Sequence, residues 1–140
     1  MRYEQIELSK LIVNQANDRH GELLSEEKAI EWLLTHRATH IRNLAKDITK
    51  TGGIYEPPLL RQEGSYFVVY DGNRRVSTLK LLSEPQKAPS SDWSKFFSEL
   101  RAKWIGAFPN NITCQIEQDR ERLDEILYRR HTGQLSLIHI

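Results

Sequence analysis

The chain has 140 residues, a length typical of one domain. Hydrophobic residues make up 39% of it, and 20 Lys and Arg stand against 19 Asp and Glu, so the formal net charge is +1. This balance excludes a domain coated with positive charge for nucleic acid, and it favours one modest core over disorder. The sequence starts without the apolar stretch of a signal peptide, and no apolar run approaches the roughly 20 residues that span a bilayer. We therefore expect a cytoplasmic protein without a membrane partner.

The charged residues are unevenly distributed along the chain. Residues 1–35 have a net charge of −3, residues 36–104 of +5 and residues 105–140 of −1. Local charge attracts an anionic ligand more than net charge does, so the middle third is where we expect a site for phosphate. The alternative is that many of its Lys and Arg side chains lie on solvated helix faces.

The first half of the sequence predicts one strand followed by two helices. In chain order the elements are a strand over 3–8, a polar loop over 14–21, a helix over about 26–35 and a helix over about 38–50. Ser25 is suited to cap the first helix. The second helix carries an apolar stripe and ends at Gly52-Gly53.

The second half mixes strands and helices. In chain order the elements are a strand from Leu59, a turn over 62–65, a strand over 66–70, a helix over about 73–82, a loop over 84–91, an aromatic helix over about 93–104, a strand over 112–116 and a helix from Asp119 to about 130. Pro57-Pro58 before Leu59 predicts that this strand lies at an edge of the sheet. The aromatic stripe is interpreted as core, with a partner groove as the alternative. Such a mixture is typical of an α+β or small α/β domain.

The end of the sequence is treated separately from this domain. Gly133 is suited to follow the last helix. Residues 134–140 form an apolar tail, which we interpret as a fragment end or an artefact. The predicted domain therefore covers residues 1–133.

The segment with the clearest chemistry runs from the strand at 66–70 into the helix at 73–82. Gly72 allows a tight turn and a close approach of the backbone to a ligand. The unpaired N–H groups of a helix start, with the arginines Arg74 and Arg75 beside them, favour an anion such as phosphate. Asp71 could cap the helix or orient an arginine, and Asn73 offers an amide. An ion pair with Asp71 is the alternative explanation for the arginines.

Two further segments add polar groups that could face the same ligand. The loop from Asn14 to Glu22 also holds Asp18 and Arg19 and could wrap a base or ribose, although polar surface loops are common. Arg130 and His131 lie near a helix C-terminus, where the helix dipole favours cations without any ligand.

These segments give the chain a resemblance to the ParB/sulfiredoxin-like superfamily, in particular to the ParB N-terminal, ParB-like nuclease domain. The order of elements matches over residues 4 to about 131. Residues Asn14–Arg19 resemble the family's N-P-x-x-P-R, and Gly53–Leu59 is similar to its G-x-x-x-P-L. Gly72-Asn73-Arg74-Arg75 matches the family's G-E-R-R, which is the most specific of the three motifs.

The resemblance implies an α+β fold, a small mixed sheet with surrounding helices, and a nucleotide pocket. ParB-like members hold CTP there and sulfiredoxins hold ATP, with the phosphates on the G-E-R-R turn. Carried to this chain, Gly72, Arg74 and Arg75 take the phosphate role and Arg19 supports it. We add Asp71, Asn73 and Arg130 to this nucleotide-binding set. The implied cofactor is a nucleoside triphosphate, CTP or ATP. Whether Mg²⁺ is a second cofactor is left open.

The chain departs from the family pattern at three places. Asn73 stands where sulfiredoxins have their cysteine and where ParB-like members have glutamate. Cys114, the only cysteine, lies elsewhere, so we do not expect sulfiredoxin chemistry, an internal disulfide or a zinc site of paired cysteines. Leu127–His131 lacks the carboxylate of the family's later E-N-x-x-R motif, which helps to hold Mg²⁺. Within these 140 residues we do not expect the helix-turn-helix and dimerisation parts of a full ParB.

Three functional hypotheses follow. The first is a nucleotide-binding module that works in a DNA-associated process, with DNA contacted through a fuller protein. The second is an enzyme, a nuclease or a phosphotransferase or NTPase, for which Asp18, Glu22 or His131 could supply a catalytic base. The third is direct DNA binding through the basic middle third without any nucleotide. No metal site is predicted, and the oligomeric state stays open.

Overall fold

The computed structural model describes residues 2–13 and 25–138. Five strands are described: β1 (Arg2–Glu7), β2 (Leu11–Ile12), β3 (Leu59–Glu63), β4 (Tyr66–Asp71) and β5 (Asn111–Ile116). The helices of these residues are α1 (Glu26–His36), α2 (Ala38–Thr51), α3 (Asn73–Ser83), α4 (Ser91–Ala102) and α5 (Arg120–Ile138), with short 3-10 turns at Leu8–Lys10 and Pro85–Lys87. This mixture confirms the predicted α+β class. None of these helices combines the length and the apolar character that a membrane span requires.

The strands form one mixed sheet in the order β1-β5-β3-β4-β2. β1 is antiparallel to β5 and β3 to β4, whereas β5 is parallel to β3 and β4 to β2. β3 is therefore the central strand, and its predicted position at an edge is wrong. The two prolines precede the strand, so from Leu59 onward every residue keeps its N–H for the ladder. Pro58 even takes part as an acceptor, since its carbonyl receives the N–H of Gln115 at 2.9 Å.

The core lies between the sheet and the helices α1 to α4. The predicted stripe of α2 is buried at Ile41, Ala45 and Ile48, and these residues pack with the inward residues of α3 and of the strands. In the aromatic segment, Phe97 has no exposed surface and Trp104 is 8% exposed. The interpretation of this stripe as core is thereby confirmed. Each fully buried large side chain contributes roughly 1.5–3 kcal/mol.

The first three helices end close to where the sequence predicts, whereas α4 (Ser91–Ala102) begins and ends about two residues earlier than predicted and α5 differs at its end. Ser25 caps α1, because its Oγ accepts the N–H of Lys28 at 3.1 Å, and Gly52 ends α2 with φ +82°. Asp119 caps α5 through Oδ1, which accepts the N–H of Glu121 at 3.0 Å. α5 then continues through Gly133 to Ile138, so the predicted end near residue 130 is wrong. A glycine inside a helix costs about 1 kcal/mol, which the continuing backbone hydrogen bonds offset.

The direction of the strands brings the candidate segments to one edge of the sheet. β1, β2 and β4 run in one direction, and β3 and β5 run in the other. The ends of the first three strands and the starts of the other two therefore share an edge, which we call the carboxyl edge. Leu59 at the start of β3 faces Asp71 at the end of β4 and, on its other side, Gln115. In open sheets of parallel strands, ligands bind outside the carboxyl ends of the strands, and β2 and β4 are the parallel pair that ends at this edge.

Candidate phosphate-binding site

The centre of the site is the turn at Gly72, between β4 and α3. Gly72 has φ +98°, a conformation that side chains disfavour. A Cβ atom here would lie 3.2 Å from the Cβ of Pro58 and 3.3 Å from Nη2 of Arg75. Glycine is therefore required both by the backbone conformation and by the close approach of the two neighbours, as the sequence predicts.

In the described part of the chain, the N-terminus of α3 has neither a side-chain cap nor an acidic residue in its first turn. The first hydrogen bond of the helix runs from the N–H of Val76 to the carbonyl of Gly72 at 2.9 Å. The first turn of α3 itself therefore supplies no carboxylate against the partial positive charge of the helix start. The Asn73 amide donates to the Val69 carbonyl at 3.3 Å.

Arg75 lies against this turn with part of its hydrogen-bonding capacity unused. Its Nη1 donates to Oε2 of Glu56 at 2.9 Å, and the side chain is 24% exposed. Its Nε atom is buried and has no hydrogen-bond partner among the described residues. A buried donor without a partner costs about 1–3 kcal/mol, so Nε of Arg75 is a hydrogen-bonding group that the described residues leave unsatisfied.

Arg130 of α5 reaches the carboxyl edge and forms an ion pair with Asp71. Its Nη1 donates to Oδ2 of Asp71 at 2.8 Å and to the Pro57 carbonyl at 3.1 Å, and its Nη2 donates to Oε1 of Gln115 at 2.6 Å. Two roles are predicted for Asp71, to cap α3 or to orient an arginine. The structure shows the second role and not the first. The arginine that Asp71 orients lies on α5, because Arg75 pairs with Glu56 instead.

The side chain of Arg74 has different surroundings from that of its neighbour Arg75. Its side chain is exposed, and it belongs to the surroundings of His40 on α2. Burial lowers the pKa of His40, and the positive charges of Arg74 and Arg37 lower it further. The two consecutive arginines of the motif thus have separate environments. A phosphate contact by Arg74 stays a prediction.

The catalytic candidates are only partly described. His131 is exposed, and its Nε2 lies 3.9 Å from Oδ1 of Asp71, which is beyond hydrogen-bond distance. Asp18, Arg19 and Glu22 lie outside the described residues. Both flanks of their segment are nevertheless anchored, because Oε1 of Glu26 accepts the N–H of Val13 at 3.5 Å and pairs with Nζ of Lys80 at 2.7 Å.

Two residues of the site were not singled out from the sequence. Glu56 pairs with Arg75, and Gln115 holds Arg130 from β5. Glu56 stands in the segment that resembles the family's second motif, which is a weak signal for its place at this edge. Gln115 gave no signal, because a polar residue in a predicted strand is usually assigned to the solvent face.

An open groove lies beside Glu56, with a volume of about 410 Å³. It is formed mainly by residues 52–57 and by residues 111–113 at the start of β5. Ligand pockets commonly have volumes of about 300–1,000 Å³. The groove therefore has room for a small ligand beside Glu56, although no residue of the Gly72 turn lines it.

The described residues of this edge offer hydrogen-bond donors and positive charge. Burial raises the pKa of the Cys114 thiol to about 12, so this cysteine is not a thiolate nucleophile at neutral pH. Within residues 2–13 and 25–138, no three His, Cys, Asp or Glu side chains are grouped to hold a metal ion. The carboxyl edge brings together the start of α3, the Gly72 turn and Arg75, whose buried Nε has no hydrogen-bond partner among the described residues.

Comparison with protein-family models, with curated proteins and with solved structures finds no match to this chain.

Proposed function

We propose that this domain binds the phosphates of a nucleoside triphosphate, CTP or ATP, at the N-terminus of α3, as a ParB-like module in a DNA-associated process. The observation that carries the proposal is the partnerless buried Nε of Arg75 beside the uncapped start of α3. A phosphate at this helix start accepts hydrogen bonds from backbone N–H groups, and it accepts a charge-assisted hydrogen bond from Arg75 once this side chain turns from Glu56 toward the ligand. The resemblance of Gly72–Arg75 to G-E-R-R supports the same ligand.

The other residues of the carboxyl edge take supporting roles in this proposal. Arg130 is a positioning residue, since its three hydrogen bonds fix the segment around Pro57 and Asp71 next to the turn. Glu56 holds Arg75 in the absence of ligand and competes with phosphate for its guanidinium. Arg19 and Arg74 add positive charge from the flanks, as the resemblance implies.

The proposal is for binding, with hydrolysis as a separate outcome. Metal-assisted phosphoryl transfer needs carboxylates around Mg²⁺. In the described part of the chain, Asp71 is engaged by Arg130, and no metal-holding group of three is present. Mg²⁺ that binds with a nucleotide takes only one or two carboxylates besides the phosphate oxygens, so Mg²⁺ stays an open second cofactor in this proposal. Release of phosphate from CTP or ATP by the purified protein would favour the enzyme hypothesis instead.

Calorimetric titration of the full chain with CTP, ATP and ADP tests the proposal. We expect one site, with Arg75→Ala losing about 1.5–3 kcal/mol of binding free energy, or roughly 10- to 150-fold in affinity. Arg129→Ala is the matched control, because Arg129 pairs with Glu125 on an exposed face of α5. Circular dichroism confirms that both variants fold. If the wild type binds no nucleotide, or if Arg75→Ala binds as tightly as Arg129→Ala, the proposal is wrong.

A further inference from the structure

The parallel ladder between β3 and β5 ends at a proline. The N–H of Gln115 donates to the Pro58 carbonyl at 2.9 Å, which is the bond of this ladder nearest to the carboxyl edge. One step further toward that edge, the parallel pattern requires an N–H at position 58 that donates to the Thr113 carbonyl. Pro58 has no N–H. The ladder therefore stops there, although β5 itself begins earlier, at Asn111.

The backbone groups of Thr113 consequently have no strand partner. The N–H groups of Gln115 and Glu117 both donate to β3. Since the direction of these groups alternates along a strand, the N–H and carbonyl of Thr113 point to the same side, away from β1. Its pairing with Gln5 of β1 accordingly joins side chains, because the Gln5 amide donates to the Thr113 hydroxyl. No backbone hydrogen bond joins Thr113 to residues 53–57 in the described part of the chain, so one donor and one acceptor stay open.

These open groups lie at the groove of about 410 Å³, which Thr113 lines together with residues 52–57. Of the described residues that line the groove, only Glu56 carries a formal charge. Its Oε2 accepts from Arg75, whereas its Oε1 accepts no hydrogen bond from a described residue and lies 3.9 Å from Nη1 of Arg130. The groove therefore combines a backbone donor, a backbone acceptor and a carboxylate oxygen that can each take an external partner.

We propose that this groove binds an extended peptide segment of a partner protein, which pairs through its backbone with Thr113 and directs a Lys or Arg side chain to Glu56. One residue of an extended chain presents its N–H and its carbonyl on the same side, which matches the two open groups of Thr113. A basic side chain matches Oε1 of Glu56, to which it donates a charge-assisted hydrogen bond. The peptide takes the place beside β5 that Pro58 leaves open.

The lining of the groove favours a peptide over the nucleotide proposed for the Gly72 turn. No residue of that turn lines the groove, and the one charged residue that does is acidic, so the lining does not attract phosphates. Pro57 and Pro109 also line it. Both lack an N–H, so they offer apolar contact and do not compete with Thr113 for a peptide carbonyl. The inference is therefore independent of the nucleotide proposal.

NMR titration of the full chain, labelled with ¹⁵N, with the capped peptide acetyl-Thr-Val-Lys-Val-Thr-amide tests this inference. Because main-chain hydrogen bonds supply the affinity in such pairing, the probe needs no further sequence. We expect a saturable shift of the Thr113 amide and slower hydrogen exchange of its N–H. The same peptide with Glu in place of Lys should bind about fivefold more weakly. The peptide with all its backbone nitrogens methylated should not bind, because it has no N–H to donate.

A single substitution in the protein can close the gap in the ladder. Pro58→Ala supplies the missing N–H to the Thr113 carbonyl, so affinity for the peptide should fall roughly tenfold. Pro89→Ala is the control for the loss of a proline ring, since Pro89 is exposed in the loop before α4 and does not line the groove. It should bind the peptide like the wild type. Circular dichroism checks that both variants fold.

The possible results separate this inference from the nucleotide proposal. Arg75→Ala is expected to keep its affinity for the peptide even when it loses that for CTP and ATP. The inference is overturned if the peptide leaves the Thr113 amide unchanged, if the methylated peptide binds as tightly, or if Pro58→Ala and Pro89→Ala bind equally. It is also overturned if CTP or ATP shifts the Thr113 amide and the peptide does not. Should Pro58→Ala unfold, the comparison of the three peptides on the wild type decides.

Discussion

Arg130 of α5 lies 2.8 Å from Asp71 at the end of β4, measured between Nη1 and Oδ2. Both side chains are largely buried, with 15% and 20% of their surface exposed. The same guanidinium reaches the Pro57 carbonyl before β3 and the Gln115 side chain on β5. One side chain therefore links the last helix to three segments of the carboxyl edge, and it fixes the surroundings of the Gly72 turn.

Removal of Arg130 should destabilise the fold, whereas removal of the arginine beside it should not. Arg130→Ala removes the guanidinium hydrogen bonds to Asp71, Pro57 and Gln115, which costs about 2–3 kcal/mol of unfolding free energy. Arg129→Ala breaks only an exposed ion pair with Glu125 and should cost less than about 0.5 kcal/mol. Urea denaturation followed by circular dichroism measures both values. Equal losses would show that the contacts of Arg130 contribute nothing beyond those of a surface arginine.

Substitution of Gly72 should affect both stability and ligand binding. Gly72→Ala forces a Cβ atom against Pro58 and Arg75 at a positive φ, so we expect a loss of about 2–3 kcal/mol and weaker nucleotide binding. Gly64→Ala is the control, since Gly64 has φ +67° but no atom within 4 Å of its added Cβ. It should lose about 1 kcal/mol and bind nucleotide normally. The account of the turn is contradicted if Gly72→Ala is the milder of the two changes.

Glu56 offers a change that should improve ligand binding. In Glu56→Gln, Arg75 loses its competing carboxylate, so affinity for CTP or ATP should rise about fivefold, which corresponds to about 1 kcal/mol. Glu125→Gln removes the same charge far along α5, where the carboxylate pairs with Arg129, and should leave the affinity unchanged. Calorimetry measures both. Weaker binding by Glu56→Gln would mean that Glu56 orients Arg75 for the ligand and does not compete with it.

Cys114 should be inert in the folded protein. It is fully buried, and its pKa of about 12 leaves almost no thiolate at pH 8. Ellman's reagent should therefore react with the native chain only as fast as it unfolds, and at once with the chain in urea. Rapid reaction of the native protein would contradict the assignment of Cys114 to the core.

Most of the fold could be predicted from local patterns. The aromatic and β-branched run at 66–70 defines β4, Ser25 defines the start of α1, and Gly52 defines the end of α2. Local patterns do not show which strands pair with each other when the strands are far apart in the sequence. β2 is two residues long and too short to show a period, and the central position of β3 depends on β5, some fifty residues later. Local reasoning about Pro57-Pro58 therefore placed β3 at the wrong position in the sheet.

The glycine turn of the site could be predicted from the sequence, whereas its ion pairs could not. The order strand, Gly72, helix start follows directly from sequence, because only glycine fits that backbone conformation. The partners of Arg75 and Arg130 are 19 and 59 residues away, at Glu56 and Asp71. Nothing in a single sequence selects these carboxylates among the others, since the choice is made by the topology of the sheet.

The most direct test of the central claim is an NMR titration of the full chain, labelled with ¹⁵N, with CTP and with ATP. The account predicts saturable shifts at the backbone amides of Asn73, Arg74 and Arg75 and at Nε–H of Arg75. In Arg75→Ala, the amide shifts should need roughly 10- to 150-fold more nucleotide. The account is contradicted if neither nucleotide produces saturable shifts, or if the shifts fall elsewhere in the chain and leave the Gly72 turn unchanged.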